Sequence, residues 1–233
     1  MRPWHLRERD RYAKEKSEVE QRYHELHFST ENDQIKITGT LPIREGAQEL
    51  DRFSIEILLL SDYPESIPEV FEVGGRIPRV LDRHCYEASG AACVLLPEER
   101  WKVSPKGSSL LSFIDGPVRN YFLSQAIFER DGVWPFGEWK HGFAGLQEYY
   151  DETFGTSEPS KVRRYLELLV AMETKGHWDC ACGSGKRLRQ CHREQVQQLR
   201  TSIPTADAKK AIERLDMYLH LRRRADVSTS VEN

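Results

Sequence analysis

Residues 35–41 read Ile35-Lys36-Ile37-Thr38-Gly39-Thr40-Leu41. Apolar and polar side chains alternate, the period of a strand with one face buried. Ser54-Ile55-Glu56-Ile57-Leu58-Leu59-Leu60 reads as a second, more buried strand, and Arg44-Glu45-Gly46 suits the connection between the two. Ser61-Asp62-Tyr63-Pro64 ends it, because proline cannot donate to a sheet ladder. Val70-Phe71-Glu72-Val73 is a third strand, stopped by Gly74-Gly75. Upstream, residues 5–28 are rich in Glu, Arg and Lys and lack Gly and Pro. Leu6, Tyr12, Val19, Tyr23 and Leu26 form a narrow apolar stripe, as in an amphipathic helix whose other charges face solvent. Asn32-Asp33 marks the turn into the strands. The expected class is α+β, with an N-terminal helix, an antiparallel meander and further helices.

Downstream of the meander, residues 76–105 read as loop with one short extended piece near Cys93. Val80, Leu81, Val94, Leu95, Leu96 and Trp101 give it too much apolar surface for disorder, so an ordered, function-bearing loop is expected. A helix opens at Ser108-Ser109-Leu110-Leu111, and Gly116-Pro117 should break or kink it. Trp134-Pro135-Phe136-Gly137 and Trp139 read as a hydrophobic strap over the core, followed by a short helix over 143–154. Residues 155–160 read as a boundary, giving a first domain over 1–155 and a helical second one over 156–233. Pro159 suits the first turn of a helix reaching residue 173. Further helices are expected over 192–200 and 205–224. The last carries Ala208, Ala211, Ile212, Leu215, Tyr218, Leu219 and Leu221 on one stripe and Arg222-Arg223-Arg224 at its end; a polar tail follows from Asp226.

The 233 residues carry 39% hydrophobic and 30% charged side chains and a net charge of −3. That balance offers no global basic field for nucleic acid. No apolar run approaches the roughly 20 residues of a membrane span, and the charged opening residues lack a signal-peptide core. Five cysteines, three of them clustered with a histidine, favour a metal site and free thiols over a disulfide framework. The expectation is a soluble cytoplasmic protein.

The sharpest local pattern is Cys180-Ala181-Cys182-Gly183-Ser184-Gly185-Lys186, then Cys191-His192. Three sulfurs and an imidazole at this spacing suit tetrahedral zinc. Gly183 and Gly185 permit the tight turn between the ligand pairs, and a helix starting near Arg187 would present the second pair. Four protein ligands leave no open position, so the expected metal is structural. Lys186, Arg187 and Arg189 would offset thiolate charge, contact an acidic partner or serve solubility, and His177 is not expected to ligate. Residues 180–192 resemble the SEC-C motif of the SecA C-terminus, which implies zinc and contacts with other proteins.

Cys93 lies within Gly90-Ala91-Ala92-Cys93-Val94-Leu95-Leu96. A cysteine among apolar residues is ordinarily inert core. Its context differs. Tyr63-Pro64 and Pro68 precede a strand, His84 stands ahead of Gly90-x-x-Cys93, and Trp101 and Ser104-Pro105 precede a helix. This order resembles the core of ubiquitin-conjugating enzymes over residues 5–154, most specifically from Tyr63 to Leu111. The resemblance implies that Cys93 carries an acyl group as a thioester, that Tyr63, Pro64 and Pro68 form a structural turn, and that His84 matches the His of the family's His-Pro-Asn turn. Here the chain continues Cys85-Tyr86 and is one residue shorter to the cysteine. The Asn that supports the oxyanion when lysine attacks is missing, so thioester carriage carries over but that route to lysine does not. His84 would lower the thiol pKa, orient an acceptor or simply hold the loop; Cys85 is expected to be loop structure.

Together the two motifs resemble the stand-alone ubiquitin-conjugating-like proteins of CBASS antiphage operons. That resemblance implies a protein partner with a free C-terminal carboxylate, a cGAS-like nucleotidyltransferase, whose conjugation primes cyclic-nucleotide signalling. No Gly-rich nucleotide loop follows a strand, so activation of the carboxylate must come from elsewhere. The alternative is a non-catalytic binding module of the same fold that docks through the zinc element. A cysteine hydrolase using Cys93 and His84 ranks last, because no third orienting residue is evident.

Overall fold

The computed structural model describes residues 3–105, 107–135 and 143–229. Within the helix ends at 143–144 and 221–229 only the backbone is described. Phe136, Gly137 and Trp139 of the expected strap lie outside these residues, as does the end of the expected polar tail. The chain forms two compact units, Met1–His141 and Gly142–Asn233. The division therefore falls before the helix over 143–154, which the sequence reading had grouped with the first domain.

The first unit is helical at its N-terminus, in α1 (Trp4–Arg7) and α2 (Arg9–Arg22). Ion pairs four residues apart line α2: Arg11–Glu15 at 3.0 Å, Lys14–Glu18 at 3.8 Å and Lys16–Glu20 at 2.5 Å. The expected helix over 5–28 is too long. It stops at Arg22, and Leu26–Glu31 forms a strand, β1, that the charge-rich pattern concealed. The override is tertiary: Leu26 pairs opposite Gly39 and Phe28 opposite Ile37.

Strand β1 joins β2 (Gln34–Glu45), β3 (Gln48–Leu59) and β4 (Glu69–Glu72) in an antiparallel four-stranded sheet of order β1-β2-β3-β4. Asn32 and Asp33 both take positive φ, 49° and 63°, as a two-residue hairpin turn requires. Across β2 and β3, Ile35 faces Leu59, Ile37 faces Ile57 and Leu41 faces Phe53. These side chains are buried, so the alternation read from sequence marks the core face.

That face packs on α4 (Leu110–Phe113) and α5 (Arg119–Asp131). Leu110, Phe113, Val118, Tyr121 and Phe122 join the strand residues in one buried cluster, with the rings of Phe53 and Phe122 4.9 Å apart. The expected break at Gly116-Pro117 is a π-helical turn, Ile114–Val118, which absorbs the proline without ending the helical path. Residues 76–105 are ordered loop with a 3₁₀ turn at Leu81–Arg83, another at Pro97–Glu99 and a short helix α3 (Arg100–Val103).

The second unit holds α6 (Phe143–Phe154), α7 (Pro159–Val170), α8 (Arg193–Ser202) and α9 (Thr205–Thr229). Pro159 opens α7, while the helix ends before the expected Glu173. Val162, Tyr165, Leu166 and Leu169 of α7 are buried, as are Ala208, Ala211 and Leu215 of α9. Arg163 and Asp216 pair between those two helices. Among the described residues no helix is long and apolar enough to cross a membrane.

Candidate functional site

Two cysteine sites emerge, one in each unit. In the first, residues 84–93 form a small hairpin. The Cys93 N–H donates to the His84 carbonyl at 2.7 Å, the Tyr86 N–H to Ala91 at 2.9 Å and the Gly90 N–H to Tyr86 at 2.7 Å. Cys85 lies opposite Ala92, whose N–H donates to the Val70 carbonyl at 2.7 Å and so attaches the hairpin to β4. This register sets Tyr86, Ala91 and Cys93 on one face and Cys85 and Ala92 on the other.

The hairpin is held from below. The Arg83 carbonyl accepts from the Tyr121 hydroxyl at 3.1 Å and from Gln125 Nε2 at 2.7 Å. The Arg83 side chain donates to Gln125 Oε1 at 2.8 Å and to Glu129 at 2.9 Å. Gln125 is fully buried, so its bonds to Arg83 form away from bulk water, while the Arg83–Glu129 bond is exposed. His84 follows with φ 50° and ψ 43°, left-handed values uncommon outside glycine. With Arg83 and His84 both bonded through their carbonyls, the turn presents Cys93 in a fixed place.

Cys93 is half-buried between buried neighbours Ala92 and Val94. Tyr86 Oη donates to its Sγ at 3.5 Å. Burial pushes the thiol pKa up; the Tyr86 hydrogen bond opposes this, and the nearby carboxylates of Glu98 and Glu99 add to the rise. An activated, low-pKa thiol is therefore not what the site holds at rest. His84 meets Cys93 through its backbone carbonyl, while its ring stands edge-on to Trp134 at 4.8 Å. Trp134 in turn stacks on Phe128 at 4.4 Å. Cys85 is buried and its Sγ donates to the Gly90 carbonyl at 3.3 Å, the loop-structural place expected for it.

The flanking segments follow from the same packing. The Tyr63–Pro64 bond is cis, and Tyr63 Oη donates to Glu15 Oε1 at 3.0 Å. Arg100 Nη2 donates to the Pro64 carbonyl at 2.6 Å, joining the proline turn to the segment after Cys93. Trp101 lies in α3, and the Ser104 N–H closes that helix on the Arg100 carbonyl at 2.7 Å.

In the second unit the ligand atoms of Cys180, Cys182, Cys191 and His192 all lie within 4.8 Å of one another. Cys180 Sγ is 3.2 Å from His192 Nδ1, Cys191 Sγ is 3.3 Å from the same nitrogen, and Cys182 Sγ is 3.6 Å from Cys191 Sγ. A tetrahedral zinc with bonds of about 2.0–2.3 Å would place its ligand atoms about 3.6–3.8 Å apart, so the donor set fits a zinc-sized ion.

Local backbone makes this convergence. The Leu188 N–H donates to the Trp178 carbonyl at 2.7 Å, and the Cys180 N–H to Lys186 at 2.9 Å. Gly183 and Gly185, at φ 78° and 74°, form the bend between these arms. A 3₁₀ turn, Leu188–Gln190, delivers Cys191 where a helix was expected; the tighter turn follows from the backbone pairing on either side. Arg187 braces the hairpin through Asp179 at 2.8 Å and the His177 carbonyl at 3.0 Å, so it serves structure, and His177 stands outside the ligand cluster.

Burial works to raise the Cys182 pKa. The Ser184 hydroxyl at 3.2 Å, the Ser184 backbone N–H and the neighbouring cysteines outweigh it and hold the thiol at about 6. Cys180, more deeply placed, is pushed up by burial. Tyr165 stacks on Phe154 at 4.9 Å and approaches His192 edge-on at 6.1 Å, forming the apolar back of the site.

The structure brings together the four ligand atoms expected from the sequence and sets His84 against Cys93 through its backbone; the sequence did not single out Tyr86, Glu98, Ser184 or the Arg83–Gln125–Glu129 support. The position two residues after His84 could have signalled Tyr86, had the hairpin register been known. Comparison of the chain with models of known protein families, with curated proteins and with solved structures finds no match.

Proposed function

We propose that this protein is a cysteine-dependent acyl carrier and transferase of ubiquitin-conjugating type, in which Cys93 takes the activated C-terminal acyl group of a protein partner as a thioester and conjugates it to a target. The observation that carries this reading is the placement of Cys93. Its sulfur is half-buried, beside a hydroxyl donor, on a hairpin whose backbone is pinned to a buried glutamine network. The order of the surrounding parts supports the same reading: helix, antiparallel meander, Tyr63-Pro64 turn, Cys93 and Trp101. In this reading the partner is a cGAS-like nucleotidyltransferase of an antiphage operon, conjugated to prime its signalling. The Cys180–His192 cluster would hold zinc, whose closed donor set serves folding and docking and takes no part in the chemistry.

A raised thiol pKa is compatible with this chemistry. Less thiolate is present at neutral pH, but each thiolate is more nucleophilic, since intrinsic nucleophilicity rises with basicity. The same property is the specific observation favouring the second reading, a non-catalytic binding module, because an inert thiol is also pushed up by burial. Co-expression with a cGAS-like nucleotidyltransferase, read by intact mass with and without reductant, separates them. A thiol-sensitive adduct present in wild type and lost in Cys93→Ala is expected; no adduct, with Cys93 inert to alkylation, selects the binding module.

A further inference from the structure

We infer that the Tyr86 hydroxyl is a catalytic group of acyl transfer at Cys93. This rests on the acyl-carrier reading above. Tyr86 Oη lies 3.5 Å from Cys93 Sγ and donates to it. The hairpin register makes the contact: Tyr86 pairs with Ala91 and His84 with Cys93, so the two side chains are diagonal neighbours on one face. The Cys85–Ala92 pair faces the other way, and a one-residue slip would exchange the faces. Tyr86 is exposed at 44%, while its hydroxyl reaches the sulfur.

In a Cys93 thioester the carbonyl carbon is bonded to Sγ, and its oxygen lies within reach of a donor that already touches the sulfur. When a neutral amine attacks that carbon, a C–N bond forms and the carbonyl electron pair moves to oxygen. The Tyr86 hydroxyl donates to this oxyanion. Collapse breaks the C–S bond, and the hydrogen bond returns to the departing sulfur. The proton lost by the amine ends on Cys93, so the products are an amide and a neutral thiol. No oxidant or second cofactor is required.

Glu98, which is buried, and Glu99 stand on the 3₁₀ turn after Cys93, and their carboxylates add to the rise of its pKa that burial causes. Tyr121, itself buried, also lies within electrostatic range of Cys93 and Cys85, and faces the hairpin from α5.

The full chain is charged with a short glycine-terminated peptide thioester, isolated, and discharged with glycinamide, following the acyl-enzyme by intact mass. Discharge from Tyr86→Phe should be about 10- to 100-fold slower than from wild type, the range for losing one oxyanion donor being about 10²–10³ and partly offset by water at an exposed site. A merely structural role for Tyr86 would not shift the pH profile of Cys93 alkylation, which should move to higher pH in Tyr86→Phe at unchanged melting temperature. Discharge within twofold of wild type overturns the catalytic role. If wild type takes no acyl group that Cys93→Ala also lacks, the carrier reading falls and the catalytic role with it; the alkylation profile then shows separately whether the hydroxyl holds the sulfur at all.

Discussion

Cys93 and the Cys180–His192 cluster are opposite solutions to placing a thiol. The cluster is made by neighbours: one hairpin and one turn bring four ligands together within residues 180–192. Cys93 is made by distance. Its position depends on Val70 of the sheet and, through Arg83, on Tyr121 and Gln125 of α5. Their electrostatics are opposed as well. Donors around Cys182 draw its pKa down to about 6, whereas burial and two carboxylates drive Cys93 up. A metal ligand needs its charge at rest; a thiol that accepts and releases an acyl group needs charge only during transfer.

The largest effect should come from breaking the local site. Stripping zinc with a chelator, or Cys180→Ser with Cys191→Ser, removes an interaction worth on the order of 10–16 kcal/mol in isolated zinc motifs. Hydrogen exchange should show the second unit losing protection while β2 and β3 keep theirs. A metal-free protein with unchanged exchange would mean that the cluster is not a zinc site.

Breaking the distant site begins at Gly39. A β-carbon there would lie 1.7 Å from the Glu25 carbonyl oxygen at φ 145°, so Gly39→Ala should destabilise the first unit by about 3 kcal/mol or more. Chemical denaturation with zinc content measured in parallel checks this, with metal retained in the variant.

A smaller cut should come from Gln125→Leu. It leaves the Arg83 carbonyl and guanidinium each short of a buried partner, at about 1–3 kcal/mol. Faster alkylation of Cys93 should accompany the loss, because the hairpin loosens around the sulfur. Unchanged alkylation would show that β4 alone fixes the hairpin.

The smallest effect sharpens the electrostatic contrast. Since the folded pKa of Cys93 is raised, its contribution to stability is present below the ordinary thiol value and is lost as pH rises through the folded value. Cys182 has the reverse sign, contributing above the ordinary value and losing that contribution as pH falls through about 6. Wild type should therefore lose more stability than Cys93→Ala above about pH 9, and should release metal on acidification, because protons compete with the metal for the ligand sulfurs. Melting curves and metal release across pH 5–10 read both limbs.

Legibility followed the range of the interactions. Ile35–Leu41 and Ser54–Leu60 announced their strands because one buried face imposes a period of two. Cys180, Cys182, Cys191 and His192 could be named as a set because a metal constrains ligand spacing within one short stretch. Leu26–Glu31 was hidden in a charged, helix-like run, since what makes it a strand is its pairing with β2, a partner that lies beyond its own sequence. Trp4 was passed over at the chain's start, yet it is among the most buried side chains and packs on Tyr63 at 4.7 Å.

By itself, then, the sequence determined the mixed class, the core face of the sheet, the four metal-type ligands and the cysteine worth testing. Each is a matter of local period or spacing. Only the tertiary structure decided that Tyr86 stands on the Cys93 sulfur, that His84 meets it through a backbone carbonyl, and that burial, with Glu98 and Glu99 adding to it, raises its pKa. Those relations depend on hairpin register and on packing against α5, where a shift of one residue exchanges the faces while leaving composition and motif untouched.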